Sequence, residues 1–202
     1  RTVLRPVVVG DLQLVGQADQ VGLAVVLLGG QLLIRQGEHG RNQALPGGLA
    51  LALAGAGFDI ASTARPARAA ARPGALDEVG ALVTARGRRW LAIESDVSDV
   101  DTHAGIISRL DQAWGRLDLF VSNAGVAPER RLDVLDATPE SYDRVMGTNL
   151  RGAFFLAQRA ARYMLDRRHA LPGCTPRLVF IGSVSAEASS PSRAEYCISK
   201  AG

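Results

Sequence analysis

From Gly48 onward the chain alternates between two hydrophobic rhythms. Leu49 to Ala56 is an Ala/Leu run ended by Gly57, the pattern of a short helix closed by a C-terminal glycine. Phe58-Asp59-Ile60-Ala61-Ser62-Thr63 follows as a strand, with Ala64-Arg65-Pro66 as the loop beyond it. Ala75 to Ala85 is predicted helical, Trp90-Leu91-Ala92-Ile93 extended, and Ser95-Asp96-Val97 a loop. Ser98 is placed as the cap of a helix whose apolar positions Ile106, Ile107, Leu110, Ala113 and Trp114 share one side. Leu117 to Val121 is the next strand and runs into Ser122-Asn123-Ala124-Gly125. Thr138-Pro139-Glu140 reads as a helix start, with a capping hydroxyl and a proline in the first turn. That helix is predicted to continue through Leu150, Phe154, Ala157, Ala161 and Leu165. A last strand, Leu178-Val179-Phe180-Ile181, leads straight into Ser183.

Helix and strand alternate throughout, which argues an α/β domain with a doubly wound parallel sheet, covered by helices on both faces. Ligands in such sheets bind beyond the carboxyl ends of the strands. Most of the polar residues that stand out in this chain fall at those ends. Residues 1 to about 45 hold neither rhythm cleanly; their one legible piece is Ala24 to Leu28, a candidate strand with Gly29-Gly30 as its turn.

The chemistry concentrates at the far end, where Tyr196 and Lys200 stand four apart. On a helix both side chains leave the same face, one turn from each other. A serine delivered by a strand end, facing such a pair, suits carbonyl–alcohol redox chemistry. The phenol gives or takes the proton, the ammonium favours its ionised form, and the serine hydroxyl bonds the carbonyl oxygen as charge develops. An unperturbed tyrosine titrates near pH ~10, so it needs a cationic neighbour to work near neutrality. By itself Tyr-x-x-x-Lys is a common surface pair. Lys200, however, is the only lysine among 23 Lys/Arg positions. A flat, bulkier guanidinium cannot replace a compact ammonium beside a phenol, so this lysine reads as chosen for its chemistry.

Composition narrows the field. At 202 residues, 47% hydrophobic and 21% charged, the chain has the make-up of one ordinary globular domain. Its net charge is +3 and its arginines are scattered, which argues against nucleic-acid binding. Cys174 and Cys197 lack metal-ligand spacing, so no metal is expected, and two lone thiols fit a reducing, cytoplasmic setting. His39, His103 and His169 are read as surface or loop residues. The longest apolar stretch, Val21 to Ile34, is broken by Gly and Gln and falls short of the ~20 residues of a membrane span. No signal-peptide pattern is present. The chain opens at Arg1 and stops just after Lys200, and a fragment is expected.

With these residues together, the stretch from about Gly48 to Gly202 resembles the short-chain dehydrogenase/reductase family, and among its members the bacterial 3-oxoacyl-[acyl-carrier-protein] reductases. The matching text is Asp96-Val97, Asn123-Ala124-Gly125, Asn149 in T-N-L-R-G, Ser183, and Tyr196-x-x-x-Lys200. The resemblance implies a Rossmann-like fold and an NAD(P)-dependent hydride transfer between cofactor and a small carbonyl or secondary alcohol. It implies Tyr196 as general acid, Lys200 as the ribose ligand that depresses the tyrosine pKa, Ser183 as holder of the substrate oxygen, and Asn149 as anchor of a water in the proton relay. Asp96 and Val97 would flank the adenine, and Asn123-Ala124-Gly125 would admit the cofactor closely. Full-length relatives are expected to be homo-oligomers.

The departures matter equally. The family's opening glycine turn should lie at His39 to Pro46, yet the text is H-G-R-N-Q-A-L-P, in which only Gly40 fits. Pro46 stands where a glycine is expected, lacking an N–H and fixing φ. Residues 1–46 are therefore taken as aberrant or non-native text, and 47–202 as a truncated Rossmann-type domain. The family's later strand, lid and last strand are missing, which leaves the fold incomplete at the C-terminus and predicts poor solubility through an exposed sheet edge. The second strand ends in Thr63-Ala64-Arg65 without a carboxylate, so NADP(H) is favoured over NAD(H), with Arg65 meeting the 2′-phosphate. Two other readings stay open: a non-catalytic remnant with a damaged phosphate turn, and a sugar-nucleotide epimerase or dehydratase, which shares Tyr-x-x-x-Lys.

Overall fold

The computed structural model describes residues 47–65, 75–167 and 175–202, together with the backbone of 23–27. The predicted glycine turn at 39–46, Gly29-Gly30, His39, His169 and Cys174 lie outside the described residues. Five strands, β1 (Leu23–Leu27), β2 (Asp59–Ala64), β3 (Trp90–Glu94), β4 (Leu119–Ser122) and β5 (Arg177–Phe180), form one sheet in the order β3-β2-β1-β4-β5. Every pairing is parallel; Val25 lies between Ala61 and Phe120, and Val121 pairs with Val179. The helices are α1 (Gly48–Gly55), α2 (Ala75–Thr84), α3 (His103–Trp114), α4 (Pro139–Met146), α5 (Ala153–Arg167) and α6 (Ala194–Ala201).

Successive strand residues point to opposite faces and feed two separate cores. Ile60, Leu119, Val121 and Val179 pack with Ala50, Leu53, Val79 and Val83, which places α1 and α2 on one face. Ala61, Ile93 and Phe120 pack with Ile106, Leu110, Leu156, Ala160 and Met164, which places α3 and α5 on the other. Burial on both faces is why β4 opens on the continuous apolar run Leu119-Phe120-Val121, and β2 is buried at Asp59, Ser62 and Thr63 as well as at Ile60 and Ala61. This is the doubly wound sheet that the alternation predicts. At the amino ends of β2 and β4, buried Asp59 and Asp118 are closed off by Arg89 at 2.6 Å and Arg116 at 2.9 Å, well away from the functional end.

Three local readings of the sequence are corrected. Ser98 does not cap α3: its N–H and hydroxyl both donate to Asp96 Oδ1, and Asp99 caps a 3₁₀ turn at Val100–Thr102 that leads into the helix. On the same helix Ala113 lies exposed, off the contact face of Ile106 and Leu110. His103 is fully buried at 0% exposure, not on the surface. Its Nε2 lies 2.9 Å from the Val97 carbonyl, and with Ile106 and Leu110 it forms the i, i+3, i+7 stripe of α3. The third correction concerns the long helix, which keeps its predicted Thr138 cap, the hydroxyl accepting from Ser141 N. Between α4 and α5 it passes through a π turn, Gly147–Gly152. A π turn carries an extra residue and shifts the phase of everything after it. The buried stripe is therefore Ala153, Leu156, Ala157, Ala160 and Met164, while Phe154 stands 58% exposed.

Among the described residues no helix is long and apolar enough to cross a membrane, and no group of His, Cys, Asp or Glu could hold a metal ion.

Candidate active site

In a parallel sheet of this order the strand order reverses between β1 and β4, and ligands bind beyond the carboxyl ends of the strands at such a switch point. The turn Asn123-Ala124-Gly125 leaves β4 at this point. Ala124 buries its side chain in the core, so only its backbone faces outward. Gly125 decides the space: a Cβ placed there would stand 3.5 Å from both Lys200 Nζ and Asn149 Oδ1. Any longer side chain would occupy the space above that pair.

Asn149 sits in the π turn and is only 8% exposed. Its Oδ1 accepts from Val126 N at 2.7 Å, and its Nδ2 donates to the Val126 carbonyl at 3.0 Å and to Ser199 Oγ at 2.9 Å. The side chain thus spends three of its four hydrogen bonds as a strut that fixes the 123–126 turn to α6. A π turn is the local device that aims this side chain inward from an otherwise regular helix. The last residue of T-N-L-R-G has its own reason: a Cβ on Gly152 would meet the Val97 carbonyl oxygen at 2.1 Å. The π turn thereby locks against the Asp96-Val97 loop. Asp96 uses Oδ1 on Ser98, and Val97 buries its side chain in the core, so Val97 presents only main chain to a ligand.

Tyr196 and Lys200 lie on α6 as the spacing predicts, with Nζ 5.9 Å from the tyrosine ring centroid. The ammonium donates to the carbonyl of Ile181, just past β5, at 3.2 Å. Burial pushes its pKa below the ordinary lysine value, so its charge is sparsely solvated and seeks partners. Ser183 follows two residues later and opens a 3₁₀ turn, Val184–Ala186, that packs on α6. Its Oγ accepts from Ser185 N at 3.2 Å, which leaves the hydroxyl proton to be donated. Arg65 stands half-buried beyond the tip of β2, at the same end of the sheet, with no contact to the Tyr/Lys group.

Sequence reasoning passed over Val126, Ser199, Gly152 and the buried Glu195. Only Gly152 carried a signal, as the last letter of T-N-L-R-G; the others have no spacing that marks them.

A parallel sheet of order β3-β2-β1-β4-β5 with its polar motifs at the switch point is the dinucleotide-binding architecture. The sequence profile described as Enoyl-(Acyl carrier protein) reductase matches residues 42–202. The chain belongs to the short-chain dehydrogenase/reductase family. It is 36% identical over 87 residues to 2-dehydro-3-deoxy-D-gluconate 5-dehydrogenase of Dickeya dadantii, covering 43% of this chain and 34% of that protein. It is 35% identical over 124 residues to the 3-oxoacyl-[acyl-carrier-protein] reductase MabA of Mycobacterium tuberculosis, covering 59% of this chain and 47% of that protein. Among solved structures it is similar to the 3-oxoacyl-[acyl-carrier protein] reductase of Brucella melitensis in complex with NAD. The TM-score is 0.71 at 35% identity, covering 91% of this chain and 64% of that one. The chain therefore spans less than half of these two curated relatives and about two thirds of the solved structure.

Proposed function

We propose that the chain carries the catalytic part of an NAD(P)-dependent reductase that interconverts a small-molecule carbonyl and its secondary alcohol, with 3-oxoacyl compounds as the substrate type. The observation that carries this reading is the half-buried Lys200, held by the Ile181 carbonyl beneath the space at Gly125 and against the Tyr196 ring. A half-buried ammonium with one main-chain partner has donors left for a ribose, and Gly125 leaves room for such a sugar. The residues present thus fit a nicotinamide nucleotide at its reactive end.

When bound, the nicotinamide supplies or takes up the hydride. The Tyr196 hydroxyl delivers its proton to the carbonyl oxygen, and the Lys200 charge stabilises the phenolate left behind. Ser183 donates its remaining proton to the same oxygen, so two donors meet the charge as it develops. The Asn149 side chain is largely committed to Val126 and Ser199, so its part in the relay falls to its main-chain carbonyl in the π turn, as the perch of a water. Asp96 and the main chain of Val97 border the adenine. Asn123, Ala124 and Gly125 offer backbone to the cofactor at the switch point. Arg65, with no carboxylate at the tip of β2, favours NADP(H) over NAD(H).

A fluorescence titration of the purified chain with NADPH and with NADH tests this. Saturable binding, tighter for NADPH and weakened by Arg65→Ala for NADPH alone, is the expected result. Failure to bind either nucleotide would overturn the reading and leave a chain whose aberrant 39–46 text no longer holds the pyrophosphate.

A further inference from the structure

Three half-buried arginines of this chain meet carbonyl or carboxylate oxygen. Arg88 donates to the Gly57 carbonyl, Arg116 to the Asp118 carboxylate, and Arg144 to the Ala127 carbonyl beside Glu129. A guanidinium taken partly out of water needs such acceptors, because its five donors otherwise go unmet. Among the described residues Arg193, half-buried beside Tyr196, meets only a serine hydroxyl. Its guanidinium carbon lies 5.5 Å from the centroid of the Tyr196 ring, and its Nε donates to Ser190 Oγ at 3.3 Å. Among the described residues it makes no ion pair and meets no carbonyl. Two cations thus stand near the tyrosine ring. Lys200 gives one donor to Ile181 and is proposed to hold the ribose, whereas no bond of the terminal nitrogens of Arg193 is formed among the described residues.

Geometry limits what could complete it. The guanidinium lies against the ring whose hydroxyl meets the reacting carbonyl, so its anionic partner must be a few bonds from that carbonyl. A thioester on a carrier's long arm is neutral there, with its phosphate far away. A free oxo acid places a planar carboxylate at that distance, and a guanidinium fork matches it with two parallel hydrogen bonds. We infer that Arg193 is a specificity-determining residue that selects short 3-oxo acids, binding the carboxylate while Tyr196 meets the keto oxygen. The inference rests on the reductase reading and names its substrate class.

The test compares acetoacetate with methyl acetoacetate, which keep the same ketone and differ in charge. Binding of each to the full chain is followed by ligand-observed NMR, and NADPH-dependent reduction is assayed in parallel, for the wild type and for Arg193→Gln and Arg193→Lys. Acetoacetate should bind better than the ester. Arg193→Gln should weaken the acid by roughly tenfold to a hundredfold, the worth of a charge-assisted hydrogen bond or two. Binding of the ester and of NADPH should be unchanged, and Arg193→Lys should restore part of the loss. Equal binding of acid and ester, no binding of acetoacetate, or an equal loss of both probes in Arg193→Gln would overturn the inference. If the acid binds through Arg193 but NADPH does not bind and nothing is reduced, the reductase reading fails while the carboxylate site stands.

Discussion

Ser141, in the first turn of α4, donates a 2.7 Å hydrogen bond to the carboxylate of Glu195, which is 5% exposed and immediately precedes Tyr196 on α6. At the other end of the same pair of segments, Asn149 in the π turn donates to Ser199, one residue before Lys200. Tyr196 and Lys200 are therefore held between two cross-braces that join the helix carrying them to the α4–π segment.

The two partners of the first brace should differ in cost. Ser141→Ala leaves a buried carboxylate without its hydroxyl donor, and the penalty for an orphaned charged group is about 2 kcal/mol or more. Glu195→Gln keeps an acceptor oxygen for Ser141 and removes the charge, so it should cost under about 1 kcal/mol. Urea unfolding of the two variants, compared with the wild type, checks the order. A larger loss for Glu195→Gln would mean that the charge itself, and not the hydrogen bond, holds α6 in place.

Gly152→Ala should be among the most damaging single-methyl changes in the domain. The new Cβ would overlap the Val97 carbonyl oxygen, which is backbone and cannot rotate aside, and the same oxygen is the partner of His103. Overpacking of this kind costs roughly 3 kcal/mol. Thermal melting should show a large drop in midpoint or no cooperative transition. A midpoint within a degree or two of wild type would show that the π turn can slide away from the Asp96-Val97 loop.

What could be read from the text, and what could not, follows from these contacts. The strands and the Tyr196/Lys200 face obey simple periods, so their spacing was enough to place them. Ala157 is buried as expected, but Phe154, Ala161 and Leu165 each fall one residue past the buried stripe of α5, because the period assumes an unbroken helix from Thr138 and a π turn leaves no mark in hydrophobic spacing. His103 carries a legible signal, standing at i to Ile106 at i+3 and Leu110 at i+7, which outweighs the ordinary surface reading of a lone histidine. Asn149 was recognised through its motif, but its physical task, bonding both polar groups of Val126, depends on two segments 23 residues apart. Single-sequence periodicity carries no information on such a contact. Glu195 and Ser141, 54 residues apart, were invisible for the same reason.

His103 should make stability sensitive to mild acid. Burial is the largest reason that its pKa lies below the ordinary value of 6.5; the nearby Arg159 and Arg151 push the same way, against the Val97 carbonyl and Asp99. The unfolded chain therefore binds a proton that the native state refuses. Stability from this group is complete above about pH 6.5 and is lost as pH falls toward the depressed native value. His103→Gln keeps an N–H to give the Val97 carbonyl but does not titrate. Its melting temperature should fall less than the wild type's over that window. Parallel curves for the two proteins would assign the acid sensitivity to other groups.

Tyr196 and Lys200 should fail in different ways. Tyr196→Phe removes the proton donor but keeps the ring between Arg193 and Lys200, so nucleotide binding should persist while turnover falls about 10²–10⁴-fold, the usual worth of general acid catalysis. Lys200→Arg keeps the charge but exchanges a compact ammonium for a planar fork in a space bounded by Gly125, Asn149 and the Ile181 carbonyl. Arginine reaches further than lysine and would intrude where the ribose is proposed to lie, so nucleotide binding itself should weaken, and turnover with it. Titrating each variant with NADPH and assaying reduction side by side separates the two defects. If Lys200→Arg bound NADPH as tightly as the wild type, the ammonium would not be the ribose ligand, and its half-buried bond to Ile181 would be a structural one.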